Sequence, residues 1–229
     1  MANRTWLWHT KAMGIFDRKV LIVEAEPLIR GLIAANLEAD GFVVRAAGST
    51  AEARKVAEDF DPDIAILDIE LGDGPTGVDL SLILRRKHPE IALVFLTHIP
   101  EPRVVGIDNR AIPRNAAYLV KDRMADPGVL RQAIEAAVRD RVSKDFRDDK
   151  NVEHSLSEVS RSQLSVLQMV ALGMSNQQIA AERGTTVRAV ENLVKRAFEA
   201  AGIDVETSNN PRVTAAREFI KVAGMPHGR

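Results

Sequence analysis

The sequence predicts an α/β doubly wound parallel five-stranded sheet followed by a small all-α domain. In the first part of the chain, short apolar runs alternate with amphipathic segments, whereas beyond residue 156 the apolar spacing is helical throughout. Parallel strands require helical crossovers, so this alternation indicates a sheet with helices on both faces. A chain of 229 residues is long enough to build two hydrophobic cores.

Five apolar runs are the predicted strands of this sheet. Ser49 after the second run and Asp126 with Pro127 after the fifth are typical helix-start signals. The stretch 99–115 differs because prolines occupy the place of the fourth helix, and proline breaks helix interiors. We expect at most one helical turn there, at 104–108. The five runs lie at 20–23, 42–44, 64–67, 93–96 and 117–120.

Polar side chains follow four of these runs directly. Because the carboxyl ends of parallel strands meet at one edge of the sheet, we expect these side chains to converge on a single pocket. Acidic residues there can hold a divalent cation through oxygen ligands, and a lysine can neutralise phosphoryl oxygens. The residues are Glu24 and Glu26, Asp68, Thr97 and Lys121.

With this pattern and the run DIAILDIEL at 63–71, residues 19–140 resemble the flavodoxin-like receiver domain of two-component response regulators. The resemblance implies that Asp68 accepts a phosphoryl group from a histidine kinase. It also implies that Thr97 is the switch threonine, that Tyr118 is the switch aromatic residue and that Lys121 contacts the phosphoryl group. Mg²⁺ would be held by Glu24, Asp68 and Glu70.

Two positions depart from the receiver pattern. Ala25 stands where the family places the acidic residue that ligates Mg²⁺ directly, and Mg²⁺ tolerates displaced ligands poorly. His98 stands where the family keeps a small residue beside the pocket, so its imidazole would partly close the mouth. We therefore expect weak Mg²⁺ binding, and two inputs stay open: phosphorylation at Asp68 or a phosphate-independent signal.

The other segments divide the chain further. Residues 1–18 read as an N-terminal extension, and the charged stretch 141–156 reads as a solvated linker. In residues 157–229, Ser175 caps a short helix, Gly184 makes a turn, and Thr185 or Thr186 caps a longer helix. Two helices joined by a short glycine turn form a helix-turn-helix, whose second helix can lie in the DNA major groove.

The strings QLSVL at 163–167 and GMSNQQIA at 173–180, with the segment around Val190, resemble the LuxR-type output domain of NarL/FixJ-class regulators. That resemblance implies a DNA-binding face made by residues that contact phosphates or base edges. The last helix would form a dimer contact. The implied DNA-binding residues are Ser175, Asn176, Arg188, Glu191, Asn192, Lys195 and Arg196.

These observations predict a cytoplasmic, dimeric transcriptional regulator that binds double-stranded DNA and has no enzymatic activity of its own. The chain contains no cysteine and no apolar run long enough to cross a membrane. Its receiver would mask the recognition helix or hold monomers apart. The alternative is a receiver-containing signalling adaptor whose helical tail binds protein instead of DNA. Salt-dependent retention of DNA would separate the two classes.

Overall fold

The computed structural model describes residues 18–72, 74–123, 126–150, 156, 158–204 and 208–223. All but residue 18 of the predicted N-terminal extension, and residues 151–155 of the predicted linker, lie outside this described part. A five-stranded parallel sheet of strand order β2-β1-β3-β4-β5 is followed by four helices. The predicted fold class is therefore confirmed.

Strands and helices alternate as the sequence predicts, with one exception between β4 and β5. The strands are β1 (Lys19–Val23), β2 (Val43–Ala47), β3 (Ile64–Leu67), β4 (Ala92–Thr97) and β5 (Ala117–Val120). The helices of this sheet domain are α1 (Pro27–Ala39), α2 (Thr50–Phe60), α3 (Gly77–Lys87) and α4 (Pro127–Val138).

The sheet is covered on both faces, which explains why its inner strands are apolar except at their ends, where Lys19 begins β1 and Thr97 ends β4. All residues of β3, β4 and β5 are buried. One face packs against α2 and α3 through side chains such as Ala57 and Leu84. The other face packs against α1 and α4 through side chains such as Leu37 and Ile134. In the fully buried strands β3, β4 and β5, polar site residues are therefore placed at the strand ends.

The proline-rich segment between β4 and β5 contains no α-helix, which confirms that prediction. It forms two 3-10 turns, Pro102–Val105 and Asn109–Ala111. The first turn lies slightly earlier than the predicted 104–108, because the Glu101 side chain accepts a hydrogen bond from the Arg103 amide and Pro102 begins the turn. Three isoleucines replace the apolar face of the missing helix and pack into the sheet core: Ile99, Ile107 and Ile112.

Part of the segment expected to be a solvated linker is packed against β5, which corrects that expectation for residues 147–149. Arg147 and Asp149 are buried and form an ion pair of 2.7 Å. Arg147 also forms a parallel bridge with Tyr118, and the Val120 amide donates to the Asp148 carboxylate at 2.9 Å. The charged segment thus covers the free edge of β5, a position where an open strand invites aggregation.

The C-terminal part is a helical domain with its own core. It consists of α5 (Arg161–Ala171), α6 (Asn176–Glu182), α7 (Val187–Ala200) and α8 (Pro211–Ala223). Leu167, Val194 and Phe219 are among the side chains that fill this core. Within the described residues, no helix combines the length and the apolar character that a membrane span requires.

Candidate phosphorylation site and nucleic-acid interface

Three of the predicted site residues meet at the carboxyl edge of the sheet. Glu24 follows β1, Asp68 follows β3 and Lys121 follows β5. The Lys121 ammonium donates to the Glu24 carboxylate at 2.5 Å and to the Asp68 carboxylate at 2.8 Å. The side chains of all three residues are less than a tenth exposed. The lysine therefore bridges two buried carboxylates.

The charges of Lys121, Glu24 and Asp68 compensate one another within the site. Burial by itself lowers the pKa of Lys121, but the hydrogen bonds and charges of Asp68 and Glu24 outweigh it and raise that pKa above its ordinary value. A bridging cation removes most of the repulsion between two buried carboxylates. The other oxygens of the pair accept backbone amides, from Glu26 to Glu24 at 3.0 Å and from Glu70 to Asp68 at 3.3 Å.

The residues do not fit Mg²⁺ in this arrangement. Mg²⁺ needs near-octahedral oxygen ligands, and the position between Glu24 and Asp68 is taken by the Lys121 ammonium. Glu70 is exposed at the surface and Ala25 offers no side-chain ligand. Across the described part of the chain, no three acidic or histidine side chains lie close enough together to hold a metal ion.

The two predicted switch residues lie beside this pocket and share a neighbour. Thr97 is fully buried at the end of β4, level with Val120 on β5. Its hydroxyl accepts a hydrogen bond from the Ile99 amide at 3.3 Å. The hydroxyl of Tyr118, also fully buried, donates to the Ile99 carbonyl at 2.6 Å, and burial raises the pKa of Tyr118 well above its ordinary value. Both side chains thus hold Ile99.

Two further nitrogen-bearing side chains, His98 and Arg30, lie next to residues of the site. His98 is half exposed and its Nδ1 atom lies 3.1 Å from the Asp122 carboxylate. Arg30, which the sequence reasoning missed, donates from one guanidinium nitrogen to the carbonyls of Glu24 and Ala25, at 2.5 and 3.2 Å. Arg30 lies one helical turn into α1, within a segment that otherwise reads as an apolar helix, so no local signal distinguishes it.

The predicted recognition helix is α7, and its polar face is open. Thr186 caps the helix by accepting the Ala189 amide at 3.2 Å, while Val190 and Val194 turn into the domain core. On the other face, helical spacing brings the predicted DNA-contacting side chains together. All five are exposed: Arg188, Glu191, Asn192, Lys195 and Arg196. The sheet domain leaves these five side chains exposed, so masking of the recognition helix, one of the two expected modes of control, is not seen in this structure.

The other two predicted DNA contacts lie at the start of α6. Ser175 is exposed and caps the helix in a capping box with Gln178, at 2.8 and 3.3 Å. Asn176 accepts a hydrogen bond of 3.0 Å from Arg212 at the start of α8, and Arg212 also donates to the Met174 carbonyl. Arg212 therefore fixes the turn that leads into the helix-turn-helix, a role for which the sequence gives no signal.

Comparisons with known proteins identify the family of the chain. Residues 20–111 match the family model of the response regulator receiver domain. The nitrate/nitrite response regulator protein NarP of Escherichia coli is 33% identical over 175 residues, covering 71% of this chain and 78% of that protein. The DNA-binding transcriptional activator DevR/DosR of Mycobacterium tuberculosis is 28% identical over 201 residues, covering 82% of this chain and 90% of that protein.

A solved structure of the two-component response regulator RcsB in complex with DNA has the same fold. It superposes with a TM-score of 0.58 at 16% identity, covering 90% of this chain and 98% of that one. A receiver-like sheet with an acidic edge, joined to a helix-turn-helix domain, defines a response regulator. The chain belongs to the response regulators of the NarL/FixJ class.

Proposed function

We propose that this protein is a DNA-binding transcriptional regulator that acts as a homodimer, with residues 157–229 forming the DNA-binding domain. The observation that carries the proposal is the exposed polar face of α7, where Arg188, Asn192 and Lys195 share one side of a capped helix. Asparagine suits adenine and lysine suits guanine in the major groove, while arginine holds phosphates. DevR/DosR and RcsB, which resemble this chain over most of its length, bind DNA.

Residues 19–140 are the receiver that controls this domain through the linker 141–156. Asp68 is the candidate phosphoacceptor, Lys121 its phosphoryl-contacting partner, and Thr97 and Tyr118 the switch pair. The Lys121 bridge favours a phosphate-independent input over phosphorylation by a histidine kinase, because the cation position is already filled by the chain itself. Any Mg²⁺ would first have to displace the ammonium, so its binding is weak.

The DNA-binding proposal is tested by selection from a randomised duplex library. The wild-type protein should enrich a recurring sequence and bind it with an affinity that falls as salt rises. Replacing Lys195 and Arg196 together by alanine should remove most of this affinity. The matched control replaces Arg54 and Lys55, two adjacent exposed cations on α2, and should leave the affinity unchanged.

Two results would reject the proposal. Failure to enrich any sequence, with partner proteins still retained by the helical domain, would favour the adaptor function. Equal losses in the two double variants would show that binding depends on overall charge and not on α7.

The input is tested with Mg²⁺ and beryllofluoride, a mimic of the phosphoryl group. A phosphate-independent receiver should show no change in dimerisation or DNA affinity at any Mg²⁺ concentration. A response that is present in the wild type and absent in Asp68→Asn would instead establish Asp68 as the phosphoacceptor.

A further inference from the structure

A partly buried arginine of the receiver, Arg103, forms hydrogen bonds with the segment that leads into the DNA-binding domain. Arg103, in the 3-10 turn that replaces the fourth receiver helix, makes two hydrogen bonds to the Glu101 carboxylate, both of 2.8 Å. The same guanidinium donates to the carbonyl of Val159 at 2.7 Å and to that of Leu156 at 2.9 Å. Glu101 is 2% exposed. We call Glu101 and Arg103 the interdomain pair.

On the receiver side, the interdomain pair is connected to the switch residues through Ile99. Ile99 lies two residues before Glu101, and both of its backbone polar groups are held by Thr97 and Tyr118. Its side chain is buried in the sheet core. A rearrangement of Thr97 or Tyr118 therefore displaces Ile99, and with it the short chain that carries Glu101 and Arg103.

On the other side, the interdomain pair holds the start of the DNA-binding domain. Leu156, the last residue of the predicted linker, and Val159 are fully buried in the core of the helical domain, and Val159 directly precedes Ser160, which caps α5. Val104, next to Arg103, packs against the core of the helical domain. Helix α5 contacts the recognition helix, where Gln163 donates to the Arg196 carbonyl at 3.1 Å. A shift of α5 is thus passed to α7.

An ion pair also crosses between the receiver and the helical domain, but it is weak. Arg161 lies 3.4 Å from Asp108, and both side chains are more than half exposed, so water and salt screen the interaction. Arg103 in contrast satisfies four hydrogen bonds in a largely buried position, and an arginine fork fixes geometry as well as charge. The interdomain pair is therefore the contact able to transmit a displacement.

We propose that the interdomain pair couples the receiver to the DNA-binding domain, so that the state of Thr97 and Tyr118 sets the position of α5 and α7. This proposal rests on the proposed function for its DNA readout. In this proposal the receiver controls α7 through the contact between α5 and α7, and not by covering α7. The coupling is an equilibrium property, and energetic couplings between sites usually change affinity by about 5- to 150-fold.

A double-mutant cycle tests the coupling. Tyr118→Phe removes the hydroxyl that holds Ile99 and should change affinity for the selected duplex by about fivefold or more. In an Arg103→Ala background the same substitution should have less than about a twofold effect, because the connection is broken. Arg161→Ala is the matched control at the same interface and should leave the effect of Tyr118→Phe intact.

Hydrogen exchange provides a readout that does not depend on DNA binding. Tyr118→Phe should speed amide exchange at the start of α5 when Arg103 is present, and should have no such effect in Arg103→Ala. The proposal is overturned if Tyr118→Phe acts equally in both backgrounds or in neither. Loss of DNA binding with the exchange result intact would reject the proposed function and leave the coupling standing.

Discussion

Replacing Lys121 by methionine should be strongly destabilising, because it leaves two neighbouring carboxylates buried without a cation. The wild-type ammonium contacts Glu24 at 2.5 Å and Asp68 at 2.8 Å, and all three side chains are less than a tenth exposed. Removing one partner of a buried ion pair typically costs about 3–5 kcal/mol. For a domain of this size that loss lowers the melting temperature by roughly 10 °C.

The assay is thermal unfolding followed by circular dichroism, with Lys87→Met as the control. Lys87 forms an ion pair of 2.6 Å with Glu58, but both side chains are about half exposed. Its replacement should cost less than about 1 kcal/mol. The ion pairs of Lys87 and Lys121 have similar N–O distances but differ in burial, so a larger loss of stability in Lys121→Met would be due to burial. Added Mg²⁺ should stabilise Lys121→Met more than the wild type, because the cation position is vacated.

A Lys121→Met protein as stable as the wild type at neutral pH, with no response to Mg²⁺, would refute the electrostatic reasoning.

Three other predictions concern single residues. Tyr118 is the only tyrosine in the sequence, and burial raises its pKa in the folded state. Its contribution to stability should therefore be constant below about pH 10 and decrease above that value, because the phenol ionises first in the unfolded chain. Phenolate absorbance should appear only on unfolding, and Tyr118→Phe should reduce the loss of stability at high pH. Gly77→Ala should lower the free energy of unfolding, measured by chemical denaturation, by about 3 kcal/mol, because the new Cβ would lie 1.9 Å from the Asp68 carbonyl oxygen. Gly31→Ala is the control: the space around Gly31 is open, so this substitution should stabilise α1 by about 0.5–1 kcal/mol. Arg188→Ala should reduce the slope of DNA affinity against salt by about 1, measured by fluorescence anisotropy, and an unchanged slope would exclude a phosphate contact.

The carboxyl edge of the sheet was predictable because parallel strands place their ends together whatever the loops do. Asp68 and Lys121 are 53 residues apart in the chain, yet each directly follows an apolar run, and that position suffices to bring them into contact. The open face of α7 was predictable for a similar reason, since Val190 and Val194 fix which side of the helix is buried.

The burial of Arg147 and the contacts of Arg103 were not predictable. Arg147 lies in a charged run that resembles a solvated linker, and its burial depends on meeting Asp149 and the carbonyls of Pro113 and Arg114 at the edge of β5. Arg103 likewise depends on the carbonyls of Leu156 and Val159, which lie 53 and 56 residues further along the chain. A guanidinium is buried only when several acceptors surround it, and the sequence does not record which distant carbonyls will do so.

The sequence by itself determined the two folds, the strand-end pocket and the exposed helix, because hydrophobic periodicity sets which faces are buried and where polar residues emerge. Only the tertiary structure decided that Lys121 takes the cation position between the two acids, and that Arg103 ties the domains together. Both outcomes depend on groups that are far apart in the chain but close in space. A hydrogen bond forms only when donor and acceptor lie within about 3 Å of each other, and spacing along the chain does not reveal which distant groups come that close.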